Sequence, residues 1–475
     1  PVMSIKEAYK RSPVFKEKIK AGIFKRDIQE EINRWYYKFS TRNILRVDGA
    51  RQVGKTTEIL KFALKHYEQI IYINLAQKRN ADYFYNTVVN SIDATLGMNE
   101  FCKGIGELSY YNTPNTVLII DEIQANAQIY NALRELHTLG CHIIVTGSYL
   151  GRLLQSDIFQ PAGDLFKIEM TAMTFNEFAR VFSKEKLYNS ISEKGESVKE
   201  DYITLTELYK IYLQIGGYPS VVAEYKRSKN LSNCYSLLKN LLSVFIDESV
   251  QYFKNTDKAT ANLILTETFR SAAIQMLKEK KGTNSFFLQE LYNFIEQEKQ
   301  VVITQDEMKN AFSWLINSGI IGGCDLAVNC DNLNIQSIRR AYFRDVGLLQ
   351  IVCNKFGIKE MDRSGLIAET FVYNELAELY RSSENNLLGD KPCCATFDKF
   401  ELDFIIFTRG DKKIGLEVKS SKGKNPVSLE FILNHKKVNK GIIAEITKGG
   451  IGEKYSRIPI YLVNRYFRKC IEEES

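Results

Sequence analysis

The sequence predicts an α/β protein that opens on a parallel sheet, passes through a helical region and a helix-plus-hairpin unit, and ends in a second α/β domain. Three observations predict it. From Ile44 to Thr146 short apolar runs alternate with helical stretches, the pattern of a parallel sheet covered on both faces. A complete glycine-lysine loop, Gly49–Thr56, joins the first of these strands to its helix. Farther on, Glu401–Phe407 and Ile414–Ser420 read as two strands joined by a short basic turn.

Each element has its own signal. Ile5–Lys38 is charged and amphipathic and reads as helix. Ile44–Val47 is the first strand, Thr56–Lys65 a helix and Gln69–Leu75 the second strand. A helix is expected around Ile92, then strand Thr116–Ile120, helix Asn126–Leu139, strand Cys141–Thr146 and a fifth strand, Phe166–Met170. Thr174 caps a helix over Phe175–Phe182. Lys184–Asp201 is polar, charged and poor in aromatic residues, which predicts a linker or lid insertion. Tyr202–Lys280 reads as helical apart from Gly216-Gly217-Tyr218-Pro219. Thr304 caps a helix through Asn317; Ile320-Ile321 and a strand over Arg340–Phe343 complete the order of a winged helix. Lys309 is the only strong base in Met308–Ile316, so that unit reads as a packing module rather than a groove reader. Gly357–Gly365 marks the last boundary.

The loop has a physical mechanism. Gly49, Gly54, Lys55 and Thr56 fill every fixed position of G-x-x-x-x-G-K-[ST], so backbone N–H groups turn inward around a phosphate beside a helix N-terminus. The cradle runs through Gly49, Ala50, Arg51, Gln52, Val53, Gly54, Lys55, Thr56 and Thr57. Lys55 would reach the β/γ-phosphates and the Thr56 hydroxyl would bind Mg²⁺. Sixty-six residues after Lys55, Asp121 and Glu122 close the apolar run Val117–Ile120, at the strand edge where open α/β sheets hold ligands. Asp121 is placed to position Mg²⁺, usually through water, and Glu122 to orient or deprotonate the attacking water. Thr146 is the first choice for a γ-phosphate sensor on the next strand, Ser148 the second.

Taken in order, Gly-Ala-Arg-Gln-Val-Gly-Lys-Thr-Thr, Ile-Ile-Asp-Glu-Ile-Gln, Val-Thr-Gly-Ser, Met-Thr-Phe-Asn-Glu-Phe and Gly-Gly-Tyr-Pro resemble a widespread group of prokaryotic AAA-type ATPases. Ala341–Leu349 is similar to the segment that joins the parts of that group. The resemblance implies a P-loop parallel-sheet ATPase domain (1–183), a helical lid (184–284), a winged helix (285–356) and a restriction-endonuclease-like α/β domain (357–475). It also implies ATP as the nucleotide, which the loop alone does not distinguish from GTP. Hydrolysis in such ATPases usually needs an arginine at the γ-phosphate, often from a neighbouring subunit. Arg26, Arg152 and Arg180 are available, and spacing does not choose among them.

In the C-terminal pair of strands, period-two geometry puts Glu417 and Lys419 on one face, and a hairpin can bring Asp403 opposite them. Two carboxylates bind Mg²⁺, the metal lowers the pKa of bound water, and Lys419 orients it or stabilises developing charge. Order and spacing are similar to the D-(x)n-E-x-K arrangement of the restriction-endonuclease superfamily, and Glu369 matches the acidic residue that such folds often carry on the preceding helix. Cleavage by Glu369, Asp403, Glu417 and Lys419 is one reading; a domain that binds without cleaving is the other.

Bulk composition sets the remaining expectations. Net charge is +7, but Lys412–Lys469 holds fourteen Lys/Arg against four acidic residues, about +10, which suits a polyanion such as DNA more than RNA, or a solvated surface. A protein partner and self-assembly stay open. No apolar run has the length of a membrane span, and Pro1–Lys20 is too charged for a signal peptide, so no membrane is expected. Nine scattered cysteines without a C-x-x-C pair suit reduced thiols in a cytoplasm, and four histidines leave little for a zinc site.

Overall fold

A computed structural model describes residues 24–106, 109–148, 164–250, 257–277, 287–298, 304–382, 387–420 and 425–472. The chain divides into two compact units, the first ending at Thr171 and the second starting at Ala172.

In the first unit, helix α1 (Ile28–Lys38) buries Ile28, Ile32 and Trp35, a helical i, i+4, i+7 stripe. The part of the expected N-terminal helices before residue 24 lies outside the described residues. Strands β1 (Ile44–Asp48), β2 (Gln69–Asn74), β3 (Thr116–Asp121), β4 (His142–Gly147) and β5 (Leu165–Glu169) form one parallel sheet in the order β2-β3-β4-β1-β5. All six residues of β3 are buried, which is why its sequence runs apolar without alternation. Helix α2 (Lys55–His66) follows β1.

Two expectations need correction here. The helix expected around Ile92 starts at Ala94, leaving Ile92 fully exposed in the connection. Asn126–Leu139 is two short helices, Ala127–Asn131 and Leu133–Leu136, with Ile129, Leu133 and Leu136 buried across the break.

The second unit begins with α3 (Phe175–Val181), closed by a capping box in which Thr174 and Glu177 satisfy each other's backbone N–H groups. Lys184–Asp201, expected as a linker or lid insertion, is packed against the rest of this unit. Glu185–Ser190 is helical, Tyr188 and Ile191 are buried, and Arg465 binds Glu193 at 2.9 Å and donates to the Tyr188 and Ile191 carbonyls. The polar composition hid this because the partners lie some 270 residues away in sequence.

Helix α4 (Lys199–Ile215) stops at Gly216, whose φ of +69° is open only to glycine at low cost. The helical region continues as Pro219–Ser228, Leu231–Val250 and Lys258–Leu277. A helix over Gln305–Asn317 carries the expected cap at Thr304. The hairpin after it, β6 (Ile321–Val328) and β7 (Ile335–Phe343), does not form a separate wing. Strand β6 pairs in parallel with β8 (Cys393–Phe397), from Asp325 opposite Cys393 to Val328 opposite Thr396. Eight strands therefore share one mixed sheet, in the order β12-β13-β11-β10-β9-β8-β6-β7. Its other members are β9 (Phe400–Phe407), β10 (Lys413–Val418), β11 (Lys440–Glu445), β12 (Gly450–Ile451) and β13 (Ser456–Pro459). The boundary expected at 357 thus falls between strands of a single sheet.

Two helices connect hairpin and sheet: α5 (Val346–Lys355) and α6, which starts at Glu360 within the expected boundary and runs to Ser382. Asp345 caps α5 by accepting from the Leu348 N–H at 2.8 Å, and its other oxygen accepts from the Gly217 N–H at 2.7 Å. The Gly217 carbonyl in turn accepts from the Met173 N–H at 2.8 Å. The Met-Thr-Phe, Gly-Gly-Tyr-Pro and Arg-Asp-Val-Gly motifs therefore meet in one joint. It has no room for side chains: a Cβ on Gly216 would fall 2.3 Å from the Asp345 carboxylate and one on Gly347 would fall 2.4 Å from the Ile215 carbonyl.

Candidate nucleotide site and C-terminal carboxylate cluster

The glycine loop leaves β1 at Gly49, where a Cβ would sit 2.1 Å from the Met170 carbonyl, so the strand passes too close for any other residue. Gln52 and Gly54 adopt left-handed backbone (φ 63° and 100°), the alternation that turns N–H groups toward one centre. Lys55 is buried and donates to the Gly49 and Ala50 carbonyls at 2.9 and 2.7 Å. Burial lowers its pKa to about 8, against the raising effect of Glu122, Asp121 and Asp48.

The carboxyl edge of the sheet gathers the polar groups. Asp121 accepts from four donors. Thr56 Oγ1 (2.9 Å) and Tyr72 Oη (2.6 Å) reach Oδ2, while Thr146 Oγ1 and the Glu122 N–H (3.1 Å) reach Oδ1. Glu122 has left-handed backbone (φ 58°), and its carboxylate accepts from Ser148 Oγ at 3.0 Å and from Gln124 Nε2. Thr146 orients Asp121, and Ser148 touches Glu122. Tyr72 was not legible in sequence, since it reaches the site from the neighbouring strand without a spacing signature; Gln124 stands two residues after Glu122, at the end of the Ile-Ile-Asp-Glu-Ile-Gln motif, but the motif alone does not assign its role.

These residues fit Mg²⁺ and a nucleoside triphosphate. A hydroxyl and a carboxylate oxygen stand 2.9 Å apart beside a buried lysine, an N–H-lined loop and a second carboxylate. Arg26 is not presented for catalysis within this unit: it is buried and donates to the Val53 carbonyl at 3.0 Å and the Thr171 carbonyl at 2.8 Å, bracing the loop. Arg180 is paired with Glu185 at 2.7 Å, and Arg152 lies outside the described residues.

In the second unit the hairpin β9–β10 forms as expected, with Leu416 opposite Phe404. Asp403 is in mid-strand and accepts from the Val418 N–H at 2.8 Å. Lys419 binds Glu417 at 2.7 Å. Glu369 on α6 joins them, but through a residue that the sequence did not single out. Arg340 on β7 contacts Glu369 at 3.3 Å, Asp403 at 3.4 Å and Glu401 at 2.8 Å. The buried Arg339 reaches the same Glu401 at 3.4 Å, and Tyr342 donates to Glu369 at 3.1 Å. Burial, with the Asp403 charge second, pushes the Glu369 and Glu417 carboxyls above their usual range.

A divalent ion does not fit this arrangement. Glu417 Oε2 is buried without a hydrogen-bond partner, as a ligand oxygen would be. The Asp403 oxygens, however, already face a backbone N–H and a guanidinium, and Glu369 Oε2 faces a guanidinium and a phenol. Among the described residues no group of three His, Cys, Asp or Glu is arranged to hold a metal.

Of the basic C-terminal segment, Lys412, Lys436, Lys440, Lys448 and Lys454 are exposed, whereas Lys419, Arg457 and Arg465 are committed to Glu417, Glu445 and Glu193. No helix among the described residues is long and apolar enough to cross a membrane.

Comparison with known proteins agrees with the first unit. Residues 41–179 match the family model described as AAA domain. Residues 206–360 match a domain of unknown function (DUF8612), and residues 364–462 another (DUF4143). No curated protein matches the chain. Solved structures similar to it include a Walker-type ATPase of Pyrococcus abyssi, at 13% identity and a TM-score of 0.43 over 70% of this chain and 96% of that one. The Aeropyrum pernix ORC1 protein in complex with DNA is similar at 10% identity and 0.30, over 69% and 92%. The Thermotoga maritima RuvB Holliday junction branch migration motor is similar at 12% and 0.29, over 63% and 90%. Residues 41–179 thus resemble an AAA domain, and the chain carries behind them two segments matching families of unknown function.

Proposed function

We propose that the chain binds ATP with Mg²⁺, hydrolyses it, and uses turnover to change how its second unit engages a nucleic acid or protein partner. The observation that carries this reading is the Thr56–Asp121 contact with Glu122 beside it, at the edge reached by Lys55. Thr56 and Asp121 would hold the metal, Asp121 through water because its oxygens already accept four donors. Bound Mg²⁺ would neutralise charge on the β- and γ-phosphates. Lys55 exchanges its two loop carbonyls for phosphate oxygens, and Glu122 takes a proton from the attacking water. Ser148 and Gln124 hold Glu122 in place for that step.

Thr146 acts through Asp121 rather than on the nucleotide. Thr146→Val is expected to raise the Mg²⁺ concentration for half-maximal turnover by about 10- to 100-fold, the usual effect of removing a ligand's orienting partner. A titration of turnover against Mg²⁺ reads this directly, and an unchanged midpoint would reject the role.

The exposed lysines of the C-terminal segment favour a polyanion, DNA before RNA. ATP turnover measured alone and with duplex DNA, single-stranded DNA and RNA tests this part. Stimulation that fades steeply with salt is expected. If no nucleic acid changes turnover while a protein fraction does, the partner is a protein.

A further inference from the structure

We infer that Arg340 is a built-in cation that closes the Glu369–Asp403–Glu417 cluster to a divalent ion, so that the C-terminal domain works by binding rather than by metal-dependent cleavage. This goes beyond the ATPase reading and does not rest on it. Four carboxylates stand together here, those of Glu369, Glu401, Asp403 and Glu417. Three cations, Arg339, Arg340 and Lys419, are in contact with them. A charge deficit that a metal would otherwise fill is largely met by side chains.

The backbone is shaped to deliver those cations. Cys324 pairs with Arg340 and Leu326 with Gln336, so one residue of β6, Asp325, faces three of β7, residues 337–339. Inside this bulge Ile338 has φ +35°, a costly conformation for a β-branched residue, and its N–H is held by Asp325 Oδ1 at 2.8 Å. Successive strand residues ordinarily face opposite ways. Here the bulge lets Arg339 and Arg340 reach the same Glu401 carboxylate. Strain of this kind persists where surrounding structure enforces it, and what it accomplishes here is the placement of two adjacent guanidinium groups. The planar fork of Arg340 then spans Glu401 and Asp403 on β9 and Glu369 on α6, as a metal would.

The test is Mn²⁺ binding to the full chain without nucleotide, followed by electron paramagnetic resonance. Wild type and Asp403→Asn are expected to give superimposable titrations. Arg340→Gln is expected to gain one ion, bound at least tenfold more tightly than any in wild type, and Arg340→Gln with Asp403→Asn is expected to lose it. An ion in wild type that Asp403→Asn removes would overturn the proposal. So would a folded Arg340→Gln protein that gains none. If Arg340→Gln does not fold, the comparison of wild type with Asp403→Asn still decides. Mg²⁺-dependent nicking of plasmid DNA by wild type, abolished by Asp403→Ala with Glu417→Ala, would refute it independently.

Discussion

Glu122→Gln is expected to lower ATP turnover by about 10²- to 10⁴-fold, the range for loss of a positioned general base, while ATP binding stays within a few-fold of wild type. Glutamine keeps the size and the ability to accept from Ser148 Oγ, so the local geometry survives and only the capacity to take a proton is lost. Single-turnover hydrolysis with a fluorescent-nucleotide binding assay separates the two effects. Unchanged turnover would reject Glu122 as the base. Loss of binding together with turnover would mean that the substitution disturbed the loop, and Lys55→Ala supplies the reference for that outcome. The same assay bears on Ser148: its alanine variant keeps the carboxylate but loses one of the donors that orient it. Its loss is therefore expected to fall on kcat, with the KM for ATP unmoved.

The parts of this site that the sequence made legible are those whose chemistry is local. A loop that must turn N–H groups inward requires glycines at fixed spacing, and a carboxylate at the end of a buried strand follows four apolar residues. Tyr72 acts by reaching across from the neighbouring strand, and no spacing encodes that. The same limit hid the join between β6 and β8, whose paired residues Asp325 and Cys393 lie far apart in sequence. Reading Ile320–Phe343 as a wing was reasonable from its order, because hairpin signals say nothing about which sheet a strand's free edge will meet. Arg340 was missed for a related reason, although a signal existed. Two adjacent arginines in a strand ending Ala-Tyr-Phe need acidic partners if that strand is buried, since buried charges are rarely left unpaired.

Asp345→Ala is expected to destabilise the second unit by about 3 kcal/mol, since it strips acceptors from two buried N–H groups and removes the cap of α5. Asp345→Asn keeps one acceptor oxygen and the shape, and is expected to cost roughly a third of that. Chemical denaturation followed by circular dichroism measures both, and an alanine variant within about 0.5 kcal/mol of wild type would reject the joint as a source of stability. The carboxyl also carries a pH signature. Burial raises its pKa to about 6, outweighing the Gly217, Leu348 and Gly347 N–H groups that favour the charged form. An unfolded aspartate titrates near about 3.9, so between roughly pH 4 and 6 the folded state holds a proton that the unfolded state releases. Stability from this group is therefore greatest below about pH 4, declines as pH rises to 6, and is level beyond. Asp345→Asn should remove that slope, narrowing the difference from wild type as pH rises. Because Gly216, Gly217 and Gly347 leave no space for Asp345 to move away, the joint cannot relax around the charge, and the declining limb should be visible in wild type. A difference between the two proteins that stays constant from pH 4 to 7 would show that solvent reaches the carboxylate and that the joint opens.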